Sequence, residues 1–170
     1  MNKISQIFST LFFIGYVKWA PGTFGSFFSL ITIIFLHNIV NKNEFIILFI
    51  CILLMATICI KIYSKSVNKH DAKEIIIDEF FGQSIVILFA FFLGGNVYII
   101  LSLPGSFLIH YILELELLLA FILFRIFDIL KPFPANWIDK NMRNSYGIIL
   151  DDIVAGIYTI ITLTLINVFV

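Results

Sequence analysis

The chain has 170 residues, enough for one domain, and 61% of them are hydrophobic while 13% are charged, against roughly 25% charged in an ordinary soluble domain. A soluble fold of this size cannot hide so much apolar surface, so a soluble globule and a disordered chain are both excluded in favour of a membrane protein. Net charge is zero, with 11 basic and 11 acidic residues, which gives no electrostatic footprint for nucleic acid.

The N-terminus carries Lys3 and then an apolar stretch from Ile7 to Val17. It mimics a secretory leader but lacks a small-residue cleavage site, and Lys18 interrupts its exit. The expectation is a retained interfacial or re-entrant helix. Five apolar runs follow: Phe24–Val40, Phe45–Tyr63, Ile85–Leu103, Phe107–Phe127 and Ile153–Val170. A bilayer core needs about 20 apolar residues in helical form and internal pairing of every backbone group. The predicted fold is therefore all-α: a polytopic membrane bundle of about 4–5 spans in one domain covering residues 1–170. Cys51 and Cys59 lie in one apolar run and read as small hydrophobes. The stretch 94–106, with Gly94, Gly95, Pro104 and Gly105, is an expected external turn, and Glu114 and Glu116 are expected at the outer edge of the fourth span.

With the N-terminus placed in the cytoplasm, ten of the 11 Lys and Arg residues fall on the cytoplasmic side and only Lys42 on the other. That is the positive-inside asymmetry. Eight of the 11 acids follow the bases, with Glu44, Glu114 and Glu116 as the exceptions. Acids contribute little to orientation, so their clustering needs another cause.

Four segments deliver the candidate chemistry. In Trp19–Phe28, Gly22 and Gly25 allow close backbone approach, Thr23 or Ser26 is placed to cap the next helix, and free N–H groups there favour an anion. In Lys69–Gln83, His70, Glu74 and Asp78 are spaced to share one helical face, and Asp78-Glu79 then enters an apolar helix. In Phe124–Lys140, Arg125, Asp128 and Lys131 line one face, and Pro132 and Pro134 end the helix. In Tyr146–Tyr158, Asp151 and Asp152 sit side by side in apolar sequence. Capping, a solvated helix start, or a simple Arg–Asp pair each explain part of this. None explains five carboxylates on one membrane face. Asp78, Glu79, Asp128, Asp151 and Asp152 suit a hard cation such as Mg²⁺, which takes oxygen ligands and often substrate phosphate. Arg125 and Lys131 suit a phosphate, by fork and by point charge.

Together, APGTFGS, HD…IDEFFGQ, FRIFDILKPFPANWIDK and GIILDDIVAGIY resemble the type A phosphatidylglycerophosphatase family. The resemblance implies a Mg²⁺-dependent membrane phosphatase that hydrolyses phosphatidylglycerophosphate to phosphatidylglycerol and phosphate at the cytoplasmic face of the bacterial inner membrane. The family's acidic positions carry over to Asp78, Glu79, Asp128, Asp151 and Asp152, as metal-binding and catalytic groups. Its basic positions carry over to Arg125 and Lys131. Thr23 and His70 complete the expected substrate-binding set, and Asp71 matches the family's His-Asp. The alternative is a divalent-cation transporter or channel subunit, which also needs membrane acids. Such sites usually lie near the midplane within internal repeats, and neither feature is visible in the sequence.

Overall fold

The computed structural model describes residues 2–37, 39–92 and 107–169. The expected turn over 94–106 and the side chains of Glu114 and Glu116 lie outside the described residues. Seven α-helices, and no strand, occur among the described residues: α1 Lys3–Ser9, α2 Pro21–His37, α3 Lys42–Val67, α4 Ile77–Phe92, α5 Phe107–Leu130, α6 Ala135–Asn141 and α7 Ser145–Phe169. Two of them, α3 and α7, are long and apolar enough to cross a membrane. Of the expected 4–5 crossings, two are met by helices of sufficient length and apolarity among the described residues. α2 has 17 residues and α4 has 16, lengths of about 25 Å at the helical rise, somewhat short of a ~30 Å hydrocarbon core.

The exposed apolar residues form stripes at helical spacing. On α3 they are Ile47, Ile50, Leu54, Ile58 and Ile62; on α5, Leu118, Ile122, Ile126 and Ile129; on α7, Ile157, Ile161 and Leu165. Continuous stripes of this kind on several helices would aggregate in water and suit lipid. The opposite faces pack inward, and α4 lies at the centre, with Phe81, Val86, Ile87 and Leu88 all buried. Both observations suit a membrane helical protein.

Two sequence expectations need correction, and a third is completed. The N-terminal helix stops at Ser9, not near Val17, because Leu11, Phe12 and Phe13 all adopt left-handed φ values of 44°, 54° and 70°. Thr10 fixes this reversal: its hydroxyl donates to Gln6 O and accepts from Phe13 N at 3.1 Å. The third apolar run, expected from Ile85, belongs to a helix that starts at Ile77; Asp78 and Glu79 enter it directly, as the sequence predicts, and in its first turn they complement the helix dipole. Finally, His70, Glu74 and Asp78 do not share a helical face. α3 ends at Asn68, left-handed with φ 53°, and residues 69–76 form a loop tied to α1 by Ile76 N donating to Ser9 O at 3.1 Å.

Two glycines set the central crossing. A Cβ on Gly82 would stand 2.6 Å from Asp152 O and 2.7 Å from the Phe124 ring, and one on Gly156 would stand 2.6 Å from Gly82 O. Gly82 lies one turn after Asp78, and Gly156 one turn after Asp152, so the glycine contact that brings α4 and α7 together also brings their carboxylates together. Gly82→Ala would raise stability by about 1 kcal/mol at an open helical site. Here it is expected to lower it by about 1–3 kcal/mol through overpacking. Thermal unfolding in detergent reads the sign, and a raised Tm would contradict the close crossing.

Candidate active site

A cleft of about 310 Å³ opens where α2, α4 and α7 begin and α5 ends. It collects Asp78, Glu79, Asp128, Asp151, Asp152, Arg125 and Lys131 from the three distant segments singled out in the sequence, and adds Asp71, Lys73 and Asp139. Seven carboxylates thus face three cations.

The carboxylates divide by partner. Asp128 Oδ2 lies 2.5 Å from Arg125 Nη1, one turn earlier on α5. The same guanidinium nitrogen lies 3.5 Å from Ser26 Oγ. Asp151 Oδ2 accepts from Lys131 Nζ at 2.5 Å, and Asp139 Oδ1 accepts from the same ammonium at 3.0 Å. Asp71, Asp78, Glu79 and Asp152 remain, and of these Asp78, Glu79 and Asp152 each offer an oxygen within 4.8 Å of the other two. Asp78 Oδ1, Glu79 Oε2 and Asp151 Oδ1 are buried without a hydrogen-bond partner. A buried carboxylate oxygen without a partner is strongly disfavoured; Asp78 and Glu79 are in this state and converge with Asp152 on the oxygen donor set that a hard divalent cation takes. The residues fit such an ion.

Local backbone aims the cations. Lys131 closes α5 in the left-handed region, φ 43°, with Pro132 behind it preventing further helix. A left-handed residue without glycine's freedom is strained by about 1 kcal/mol; the turn sends the ammonium back over the acids. The loop is pinned to α7 by Tyr158 OH donating to Phe133 O at 2.5 Å. Burial alone would push the Lys131 ammonium down, but its bonds to Asp151 and Asp139 outweigh this and hold it above the ordinary lysine range. Because the folded value is raised, this contribution is fully present below the unfolded value near ~10.4 and fades only as pH climbs through the folded one.

Gly22 does approach something closely, but it is protein. A Cβ there would collide with Glu79 Oε1 and stand 3.1 Å from Arg125 Nη1. Gly25 meets the Ile76 carbonyl in the same way, at 2.7 Å. Thr23 is not among the cleft residues; Ala20, Pro21 and Gly22 line it instead. Ser26 Oγ donates to Gly22 O at 3.0 Å, so it is bound within α2 and does not cap its start. His70 lies outside the cleft too, in the adjoining cavities with Lys69 and Arg143. Lys73 and Asp139 are the charged cleft residues that the sequence did not single out, and Asp139 is the one that pairs across the cleft. The signal was present in the same segment as Lys131, but a loop with two prolines separates them, and only the fold returns Asp139 to that ammonium.

A double-mutant cycle tests the Lys131–Asp151 bond. Lys131→Met and Asp151→Asn are each expected to cost about 1.5–3 kcal/mol, as for a hydrogen bond to a charged group, with the double variant costing much less than the sum. Additive losses in detergent unfolding would show that the pair is not coupled.

The family model for Phosphatidylglycerophosphatase A matches residues 7–167. Among curated proteins, the chain is 35% identical over 148 residues to Phosphatidylglycerophosphatase A of Haemophilus influenzae, covering 86% of this chain and 78% of that protein. It is 32% identical over 112 residues to the protein of the same name from Escherichia coli, covering 62% of this chain and 54% of that one. No solved structure matches the chain.

Proposed function

The chain belongs to the phosphatidylglycerophosphatase A family, and from that premise we propose that it hydrolyses the terminal phosphomonoester of phosphatidylglycerophosphate, giving phosphatidylglycerol and inorganic phosphate. The observation that carries the reading is the charge of the cleft: seven acids and three cations, all lining one site. A phosphate dianion would be repelled from it as it stands. Asp78, Glu79 and Asp152 would hold Mg²⁺, with Asp151 alongside, and that charge would let the same cleft accept one.

When bound, Mg²⁺ supplies charge neutralisation on the phosphoryl oxygens and acidifies water. The chain's own groups do the rest. Arg125, kept in place by Asp128 and Ser26, presents its remaining N–H groups to the phosphate. Lys131 supplies a second positive charge where charge builds on the equatorial oxygens. Asp151, with Oδ2 held by Lys131 and Oδ1 unbonded, is positioned to take a proton from attacking water. The new P–O bond forms as the bond to glycerol breaks; the glycerol oxygen takes its proton from water, and Asp151 returns the proton it removed to solvent.

The site opens to the inner surface of a bacterial cytoplasmic membrane in this reading, with the whole chain as one membrane-embedded domain crossing several times. The cationic bias of that side supports it. So do Trp19, Phe133, Trp137 and Tyr146, which are exposed around the site-bearing helix ends, where aromatic side chains favour the headgroup layer. The family match lends no support to a cation transporter.

Purified protein assayed on phosphatidylglycerophosphate is expected to release phosphate with Mg²⁺ and to stop in EDTA. Asp151→Asn and Arg125→Ala are each expected to lose more than ~10²-fold in kcat/KM, as for loss of a metal-site group or a charge-stabilising donor. Full turnover in EDTA would overturn the metal assignment.

A further inference from the structure

A phosphatidylglycerophosphate headgroup carries two phosphates: the terminal monoester, and the phosphodiester that joins its glycerol to the diacylglycerol. The acid cleft provides for the first. A second negative charge then has to rest one glycerol away, and seven carboxylates make the cleft a poor place for it.

Beside the cleft lies a cavity of about 450 Å³ between the end of α3 and the start of α7. Among the described residues its walls include Lys61, Lys65, Lys69, His70, Arg143 and Tyr146, and no acid. None of those lysines, nor Arg143, forms an ion pair among the described residues, whereas Arg125 and Lys131 in the cleft are both paired. The cations are set in place by the α3 cap. Asn68 turns left-handed, Lys69 N donates to Ser64 O at 3.1 Å, and Ser64 Oγ donates to His70 O at 2.9 Å.

The two sites are continuous. Ile148 lines both. A third cavity of about 500 Å³ shares Asp71 and Asp139 with the cleft, and Lys69, His70 and Arg143 with the basic cavity. The basic cavity also meets the lipid-facing surface. Leu54, Ile58 and Ile62 are exposed along α3, and Lys61 and Lys65 continue that stripe at helical spacing. An acyl chain lying on the stripe would bring its ester end to the two ammonium groups, which snorkel towards the headgroup layer.

We infer that this basic cavity seats the bridging phosphodiester of the substrate while the terminal phosphate enters the acid cleft, an assignment that rests on the proposed substrate. Lys65 and Arg143 are its main contacts and act in binding and not in the chemical step. The arrangement separates lipids that carry a phosphodiester from monoesters that lack one.

The test is kinetic, with purified protein in uncharged detergent micelles. Lys65→Gln and Arg143→Gln are both exposed positions. Each is expected to raise KM for phosphatidylglycerophosphate roughly 5- to 10-fold, the effect of one phosphate-facing cation. kcat should stay within about 2-fold, as for loss of uniform binding. Inhibition by phosphatidylglycerol, which keeps only the phosphodiester, should weaken in parallel, and inhibition by inorganic phosphate should not change. Unchanged KM and unchanged phosphatidylglycerol inhibition would overturn the inference. Equal weakening of phosphate inhibition would do so too, since the variants would then be disturbing the cleft. Activation by phosphatidylglycerol with KM unaffected would mark a separate lipid site and would also overturn it. If the unaltered protein fails to hydrolyse the lipid, the proposed function fails first. Phosphatidylglycerol binding that still depends on Lys65 and Arg143, against phosphatidylcholine micelles, would then keep the cavity as an anionic-lipid site.

Discussion

Where α4 crosses α7, the backbone of each helix occupies the space in which a Cβ of the other would lie, at 2.6 Å for both Gly82 and Gly156. This contact fixes the distance between Asp78 and Glu79 on one helix and Asp151 and Asp152 on the other. Like charges do not converge by themselves, and their mutual repulsion grows as water is excluded. The packing of two apolar helices has to hold them there, and the stabilisation comes from surface far from the acids. Gly22 extends the same arrangement by letting α2 close directly against Glu79 and Arg125.

The electrostatics of the cleft then follow from which acids find protein partners. Asp128 is spent on Arg125, and Asp151 and Asp139 share Lys131. These pairs orient the cations that a phosphate would meet. Asp78, Glu79 and Asp152 have no such partner cation among the described residues, and their converging oxygens, those of Asp78 and Glu79 unbonded, are where a divalent ion fits. A buried array of this kind contributes little to stability by itself, since desolvation offsets much of the attraction. Its value lies in a fixed geometry for a dianion that carries its own charge into the site.

The position of the cleft matters as much as its contents. It lies at the ends of helices whose outer faces carry unbroken apolar stripes, with aromatic side chains exposed around it. A water-soluble headgroup on a membrane-bound lipid presents its phosphate at this depth. The adjoining basic cavity gives the same boundary a second, oppositely charged surface, so an amphipathic molecule bound as proposed would meet two different electrostatic environments along its length.

Sequence alone determined the helical membrane class, through composition and run length, and the residue types of the site, through acids that orientation rules do not require. Asp78-Glu79, Arg125…Asp128…Lys131 and Asp151-Asp152 were legible because charge inside apolar sequence is expensive and therefore conspicuous. Tertiary structure decided what charge patterns cannot encode: which acid pairs with which cation, that Asp139 folds back to Lys131, and that His70 and Thr23 stand outside the cleft. It also decided the helix limits, because Leu11–Phe13 and Asn68 take left-handed conformations that apolar periodicity does not reveal. The physical reason is common to all of these. Hydrophobic patterning acts locally along the chain, while ion pairing and close backbone contact depend on distances between segments that only packing sets.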